Sequence, residues 1–362
     1  MEIPLTDVGT GGAAGLFDAH AERAAALIEQ ALAAHPLLPL AARLGDRASR
    51  RWLERQNDPY LPEIRHIADR LGRPGVYFLN IIYEWACSTS VAPDPAGEGM
   101  RLIRVLDWGL TGIGRYLVLA RHASAVGPFI SATWPGYAGV LTAMAPGRFA
   151  AAINQAPRLP ASGVGPVDDV LNRLRMLRVE GALPAPHLLR RVCETAPDYA
   201  AALAMLADER IKLAMPALYI LSGIAGGEGA VVEALGNERR VHRATTANDF
   251  TVGVANNWLN REWRGSPRRH AAEWENRVTP FENNRIRCND ICALQQGDFA
   301  GASALVAPVL NGHTVLVAAI SAASGAMTVE ALDHVAGAGP VPQVVARRSL
   351  TERVAAGSAS TI

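Results

Sequence analysis

Four cysteines occur in the 362 residues, and one of them, Cys87, keeps chemically informative company. It follows the stretch LNIIYEWA (79–86) and precedes STSVAPD (88–94), where a helix-like apolar run gives way to a period-two, strand-like one. Arg104 and Asp107 follow in RVLDWG (104–109), inside an otherwise apolar ladder. Charges in such a ladder form a solvated edge, a structural ion pair or part of a site. A guanidinium beside a thiol lowers its pKa from ~8.5 toward neutrality and favours the nucleophilic thiolate. On pattern alone Cys87 is either a packed apolar thiol, the common fate of a free cysteine, or a nucleophile.

Other chemistries find little support. There is no phosphate-cradling GxxxxGK[ST], no GxGxxG after a strand and no GxSxG elbow. The nine histidines form no HxH or HxxxH pair, and Cys288 and Cys292 have no second cysteine pair to complete a zinc site. No metal or cofactor is therefore expected. A net charge of +1 gives no electrostatic footprint for nucleic acid. No apolar run reaches the ~20 residues of a membrane span. The stretch MEIPLTDVGTGG (1–12) carries no leader pattern, which makes a cytoplasmic location the expectation.

The elements that must position Cys87 follow from periodicity. Residues 18–72 read as helices, broken at Pro59. Strands are expected over 87–92, 100–109, 115–121, 137–144 and 148–154, and helices over 166–212, with Thr195 and Asp198 as a capping box. Strands resume at 229–234, 239–244 and 249–256, and a hairpin is expected from 313–321 and 325–331. The tail after Asp333 is rich in Gly, Pro and Ala and ends in a short charged, helix-like piece. Strands, helices and strands in blocks predict sheets with segregated helical layers rather than βαβ units.

The quoted stretches carry a resemblance. LNIIYEWACSTSVAPD (79–94), RVLDWG (104–109), GYAGVLTAMAPGRFAAAIN (136–154), CETAPDYAAAL (193–203), MPALYILSG (215–223), GEGAVVE (227–233) and VGVANNW (252–258) resemble, in order, the acid ceramidase and N-acylethanolamine acid amidase family. Those are cysteine N-terminal-nucleophile hydrolases of the choloylglycine hydrolase group. The resemblance covers roughly 75–333. It implies an α+β, four-layer αββα sandwich: a helical segment 1–86, a catalytic domain 87–334 and a tail 335–362.

It also implies self-cleavage between Ala86 and Cys87. The new α-amine, with a pKa of ~7.7–8.0, then serves as base for its own thiol. Arg104 would sit near the thiol, Asp107 would hold the amine, and Asn257 would donate to the oxyanion. Asn256, one strand residue earlier, should face the other way. The family's second arginine matches Arg277, with Arg268 and Arg269 as alternatives, and Tyr137, Asn154 and Gln155 are candidates for assisting roles. Gln155 stands where the family has a glutamate, and Leu259 where it has an aspartate.

The implied activity is hydrolysis of a linear amide with an apolar acyl chain, which helical segments around 198–225 would cover. The partners are then a small acyl-amide substrate and the two processed fragments themselves. An acyltransferase using the same thioester, and an uncut relative serving as a binding or scaffold protein, are the competing readings.

Overall fold

A computed structural model describes residues 1–33, 38–81, 85–110, 112–162, 164–265, 278–337 and 339–354. In chain order the strands begin with β1 (Leu5–Gly9), β2 (Trp85–Pro93), β3 (Met100–Trp108), β4 (Val118–His122), β5 (Phe129–Thr133), β6 (Thr142–Ala145) and β7 (Phe149–Gln155). The short pair β8 (Ala182–Leu183) and β9 (Lys212–Leu213) is followed by β10 (Ala217–Gly223), β11 (Gly229–Leu235), β12 (Glu238–Arg243) and β13 (Val252–Val254). The last are β14 (Thr314–Ser321), β15 (Ala326–Asp333) and β16 (Gln343–Thr351). The helices are α1 (Gly12–Ala19), α2 (Ala21–Ala33), α3 (Leu38–Gln56), α4 (Leu61–Leu71), α5 (Val76–Ile81), α6 (Gly165–Arg178), α7 (Ala185–Thr195), α8 (Tyr199–Leu206) and α9 (Pro280–Ala293).

Strand β3 shows why two sheets must stack, because all nine of its residues are buried. Leu102, Leu106 and Trp108 join the large core with Cys87, while Ile103 and Val105 join a separate cluster with Ile291 of α9. A strand apolar on both faces needs a layer on each. One layer is the other sheet: order β1-β4-β5-β6-β7-β10-β11-β12 stacks on order β13-β2-β3-β14-β15-β16, with β2 against β7. The other is helical: α9 packs on β2 and β13, and α7 and α8 pack on β7, β10 and β11. This is the αββα order expected.

Several local expectations are corrected. The N-terminal segment is not helical throughout: β1 pairs parallel with β4 and enters the eight-stranded sheet. The tail contributes β16, antiparallel to β15, where a helix-like piece was expected. The strand expected over 137–144 is confined to β6, while β5 and α9 were not anticipated. Asp198, not Thr195, caps α8, its carboxylate accepting from Ala201 N–H at 2.7 Å. The segment 215–223 is no helical cover, since β10 lies between β7 and β11 inside the sheet, and Ala202, Leu203 and Leu206 of α8 are plain core.

Helices α1 to α5 build a second core around Phe17, Trp52, Ile64 and Tyr77. Buried polar contacts tie it to α7. His187 Nδ1 lies 2.7 Å from Asp58 Oδ2, both side chains fully buried, and Arg190 pairs with Glu63 at 2.7 Å and Glu194 at 2.8 Å. Burial alone would raise the Asp58 carboxyl, but His187, the Tyr60 N–H and Arg190 together hold it below its ordinary value.

A depressed carboxyl contributes stability that is complete above its unfolded pKa of ~3.9 and is lost as pH falls through the lower folded value. The wild-type urea midpoint should therefore fall more steeply between pH 5 and pH 2 than that of Asp58→Asn. Parallel curves would show that Asp58 carries no such linkage.

Candidate functional site

Alternation along β2 and β3 decides which groups meet. Cys87 pairs with Leu106 and Ala86 with Asp107. Arg104 and Asp107 are an odd number of residues apart, so they leave opposite faces of β3. Arg104 enters the space between the sheets on the side of Cys87. Its Nη2 donates to Cys87 Sγ at 3.2 Å and to Ile153 O at 2.8 Å, and its Nη1 donates to Asn154 Oδ1 at 3.0 Å. Asn154, fully buried on β7, also accepts from Thr89 Oγ1 at 2.7 Å and donates to Val254 O and Ala255 O. It thereby joins the two sheets beside the thiol.

Asp107 faces the α9 layer, where Thr314 Oγ1 donates to its Oδ1 at 2.8 Å and Arg287 Nη1 lies 3.7 Å from its Oδ2. Arg287, 1% exposed, is the functional candidate that sequence reading missed. Its Nη1 donates to Cys87 O at 3.0 Å, and its Nη2 donates to Asn256 Oδ1 at 3.0 Å and Asn284 Oδ1 at 2.9 Å. One signal was available: Thr279-Pro280-Phe281-Glu282 reads as N-cap, Pro at N1 and an acid at N3, and Thr279 does cap α9. The inward face of that helix is polar (Asn283, Asn284, Arg287), so apolar periodicity passed over it.

The expectation that Asn256 faces away is overturned. Strand β13 pairs Val254 with Thr89 and then stops; carried two residues further, the register sets Asn256 opposite Cys87. Asn284 Oδ1 takes the Asn256 N–H at 2.7 Å, so the backbone ladder is not continued. The Asn256 side chain takes its place: Oδ1 accepts from Cys87 N at 3.0 Å and Nδ2 donates to Gln155 O at 2.8 Å. The alternation argument failed because residues 255–257 are no longer strand.

Asn257 Nδ2 reaches only Trp258 O, at 3.3 Å. Gln155 ends β7, and its backbone N–H bonds the thiol. Tyr137 is buried apart from these groups and lines an apolar cleft with Leu27, Ile28, Val76, Trp108 and Trp134. Arg268, Arg269 and Arg277 lie outside the described residues.

Burial governs the electrostatics. It pushes the Cys87 thiol up to about 11; Arg104, Arg287 and the Gln155 N–H pull down against it, and Asp107 pushes further up. Burial also raises the Asp107 carboxyl, opposed by Arg287 and by hydrogen bonds from Asn311 and Thr314. With the Ala86–Cys87 bond intact inside β2, the thiol is protonated at neutral pH, and among the described residues no histidine hydrogen-bonds it to remove the proton. Among the described residues no cluster of metal-ligating side chains occurs, and no helix is long and apolar enough to cross a membrane.

Arg287→Met would take the charge partner from Asp107 and one donor from each of Cys87 O and two amide oxygens. Breaking a buried pair from one side costs about 3–5 kcal/mol. Urea unfolding should show a loss of that order, with Asp107→Asn recovering part of it in the double variant. Strictly additive losses would mean that the two side chains are not coupled.

No family model matches the chain. Acid ceramidase from Heterocephalus glaber is 27% identical to it over 195 residues, 48% of this chain and 47% of that protein. The chain thus spans about half the length of that curated relative. Among solved structures, the Caenorhabditis elegans N-acylethanolamine-hydrolyzing acid amidase ortholog is similar at 20% identity and a TM-score of 0.47, over 66% of this chain and 93% of that one. A mutant conjugated bile acid hydrolase from Clostridium perfringens is similar at 10% identity and a TM-score of 0.40, over 74% and 92%. In sequence the chain is similar to an acid ceramidase, the family that its motifs around Cys87 resemble.

Proposed function

We propose that this protein is a self-processing cysteine amidohydrolase that cleaves a linear amide bearing an apolar acyl chain. One observation carries the reading: Cys87 has Arg104 on its thiol, Asn256 on its N–H and Arg287 on its carbonyl, all buried. A core thiol needs none of these. The sequence similarity to an acid ceramidase supports the same reading.

In the first reaction Cys87 Sγ attacks the Ala86 carbonyl and the Ala86–Cys87 C–N bond breaks, leaving Ala86 as a thioester on the sulfur. Water hydrolyses that thioester, releasing a carboxylate on Ala86 and a free α-amine on Cys87. The amine supplies the base that the intact chain lacks. In turnover it takes the thiol proton, Sγ attacks the substrate carbonyl, and the proton passes to the leaving amine. Water, deprotonated by the same amine, then releases the acyl group as a carboxylic acid.

Asn256 and Asp107 hold the amine, since Asn256 Oδ1 already accepts from this nitrogen and Asp107 pairs across from Ala86. Asn257 donates to the oxyanion, its Nδ2 being engaged by one long bond only. The acyl chain occupies the cleft of Trp108, Trp134 and Tyr137; Trp108 pairs with Trp85, two residues or roughly 7 Å along the strand from Cys87.

Intact mass should reveal fragments of 86 and 276 residues that stay together, and Cys87→Ala should remain one chain. Amide hydrolysis by a wild-type chain that never splits would sink the mechanism. Gln155→Glu should speed the cleavage. A fully buried thiol raised to about 11, with Gln155 beside it, favours one rival, an uncut binding protein, for which no condition yields fragments.

On processed enzyme, Asn257→Ala should lower kcat by a factor on the order of 10²–10³ with KM nearly unchanged, because an oxyanion bond strengthens only in the transition state. An unchanged kcat with a stability loss of ~1 kcal/mol would make Asn257 a structural residue.

A further inference from the structure

A second cavity, of about 250 Å³, is distinct from the apolar cleft, and Asn257, Trp258, Asn260, Arg261, Trp263 and Arg285 line it. It begins one residue from Asn256, which holds Cys87 N. Three of its polar atoms are unsatisfied among the described residues. Trp258 Nε1, Asn260 Nδ2 and Asn257 Oδ1 are buried with no hydrogen-bond partner there, although leaving a buried polar atom alone is costly. Two of the three are donors. The acceptor, Asn257 Oδ1, belongs to the residue next in sequence to Asn256, which holds Cys87 N.

The charge is one-sided as well. Arg261 and Arg285 make no ion pair with a described residue, and no described carboxylate lines the space. The wall is also held in place from behind. Glu233, fully buried on β11, accepts the backbone N–H groups of Leu259 and Asn260 and lies 2.7 Å from His242 Nε2. This carboxylate is thus spent on fixing the loop that carries Trp258 and Asn260. Fixed donors, two guanidiniums that no described carboxylate pairs and an indole wall form a site for a small anion attached to an organic group.

Resting on the amidohydrolase reading, we propose that this cavity takes the carboxylate-bearing amine portion of the substrate, so that the enzyme cleaves N-acyl amino acids in preference to neutral N-acyl amines. The scissile amide then lies between two unlike spaces, with the acyl chain toward Trp108 and the amino acid toward Arg261 and Arg285. The released products are a fatty acid and a free amino acid.

The test compares N-decanoyl-glutamate with N-decanoyl-glutamine, which has nearly the same shape and no charge, and with N-decanoyl-phosphoethanolamine. For wild-type enzyme, kcat/KM should favour the glutamate over the glutamine about tenfold or more, with the preference shrinking at 1 M salt. In the Arg261→Gln/Arg285→Gln double variant the ratio should fall to about one. Equal kcat/KM for glutamate and glutamine, or a ratio untouched by the double variant, overturns the assignment. A preference confined to the phosphate overturns the amino-acid reading.

Binding of the same three compounds to the full-length Cys87→Ala chain, measured by calorimetry, separates this inference from the one it rests on. If no amide is cleaved by wild type yet the glutamate binds about tenfold tighter than the glutamine, the hydrolase reading fails and the anion site stands. If amides are cleaved while the two bind and react alike, the anion site fails and the hydrolase reading stands.

Discussion

Everything near Cys87 depends on how the end of one short strand is closed. Strand β13 stops at Val254, two register positions before it would have hydrogen-bonded Cys87, and the Asn256 side chain takes over the backbone's task. The substitution matters for the proposed self-cleavage, because a side-chain amide could keep accepting from the Cys87 nitrogen once it were an amine. A backbone ladder would bind that nitrogen as part of a continuous strand, whereas the Asn256 oxygen requires only an N–H. Helix α9 makes the arrangement stable. Asn284 takes the Asn256 N–H that the ladder left over, and Arg287 satisfies Asn256 Oδ1, Asn284 Oδ1 and Cys87 O from one guanidinium.

Burying two arginines, a carboxylate and a thiol within a few ångströms is costly, and removing one partner costs more than the group contributes in water. The chain meets this by dividing the charges between the two faces of β3. Arg104 spends its donors on the thiol, Ile153 O and Asn154 between the sheets. Arg287 and Asp107 face each other under α9. Each guanidinium therefore meets mostly neutral acceptors, with one anion or incipient anion at its edge. Such an arrangement stabilises a thiolate when one forms without forcing it to persist, which agrees with a resting thiol pushed up by burial.

What the sequence disclosed follows from what kind of pattern each element leaves. Strands β2, β3, β7, β11, β14 and β15 alternate or run apolar and were legible, as were Cys87, Arg104 and Asp107 among them. Strand β10 was read as part of a helical cover, because a strand buried on both faces has no period of two. Strand β16, with Arg347 and Arg348 beside Val344 and Val345, is a half-exposed edge and passed for a charged helix. Helix α9 was missed because its inward face is made of amides and a guanidinium, the inverse of an amphipathic stripe. Its residues are chosen to serve the site rather than to pack, and a site-serving face carries no hydrophobic period.

The same reasoning explains why Asn256 was expected to face away from Cys87. Two adjacent asparagines can be told apart by strand alternation only if the strand persists, and here it ends just before them. Once the backbone bends, both side chains can point toward the nucleophile from different directions. Asn256 has its oxygen fully committed, to Cys87 N and Arg287, and its nitrogen donates to Gln155 O. Asn257 has a buried oxygen with no partner and a nitrogen on a long bond. A group whose bonds are largely made is suited to holding an atom still. A group with bonds to spare is suited to meeting something that arrives, which is why the proposed reading gives Asn256 the Cys87 nitrogen and Asn257 the substrate.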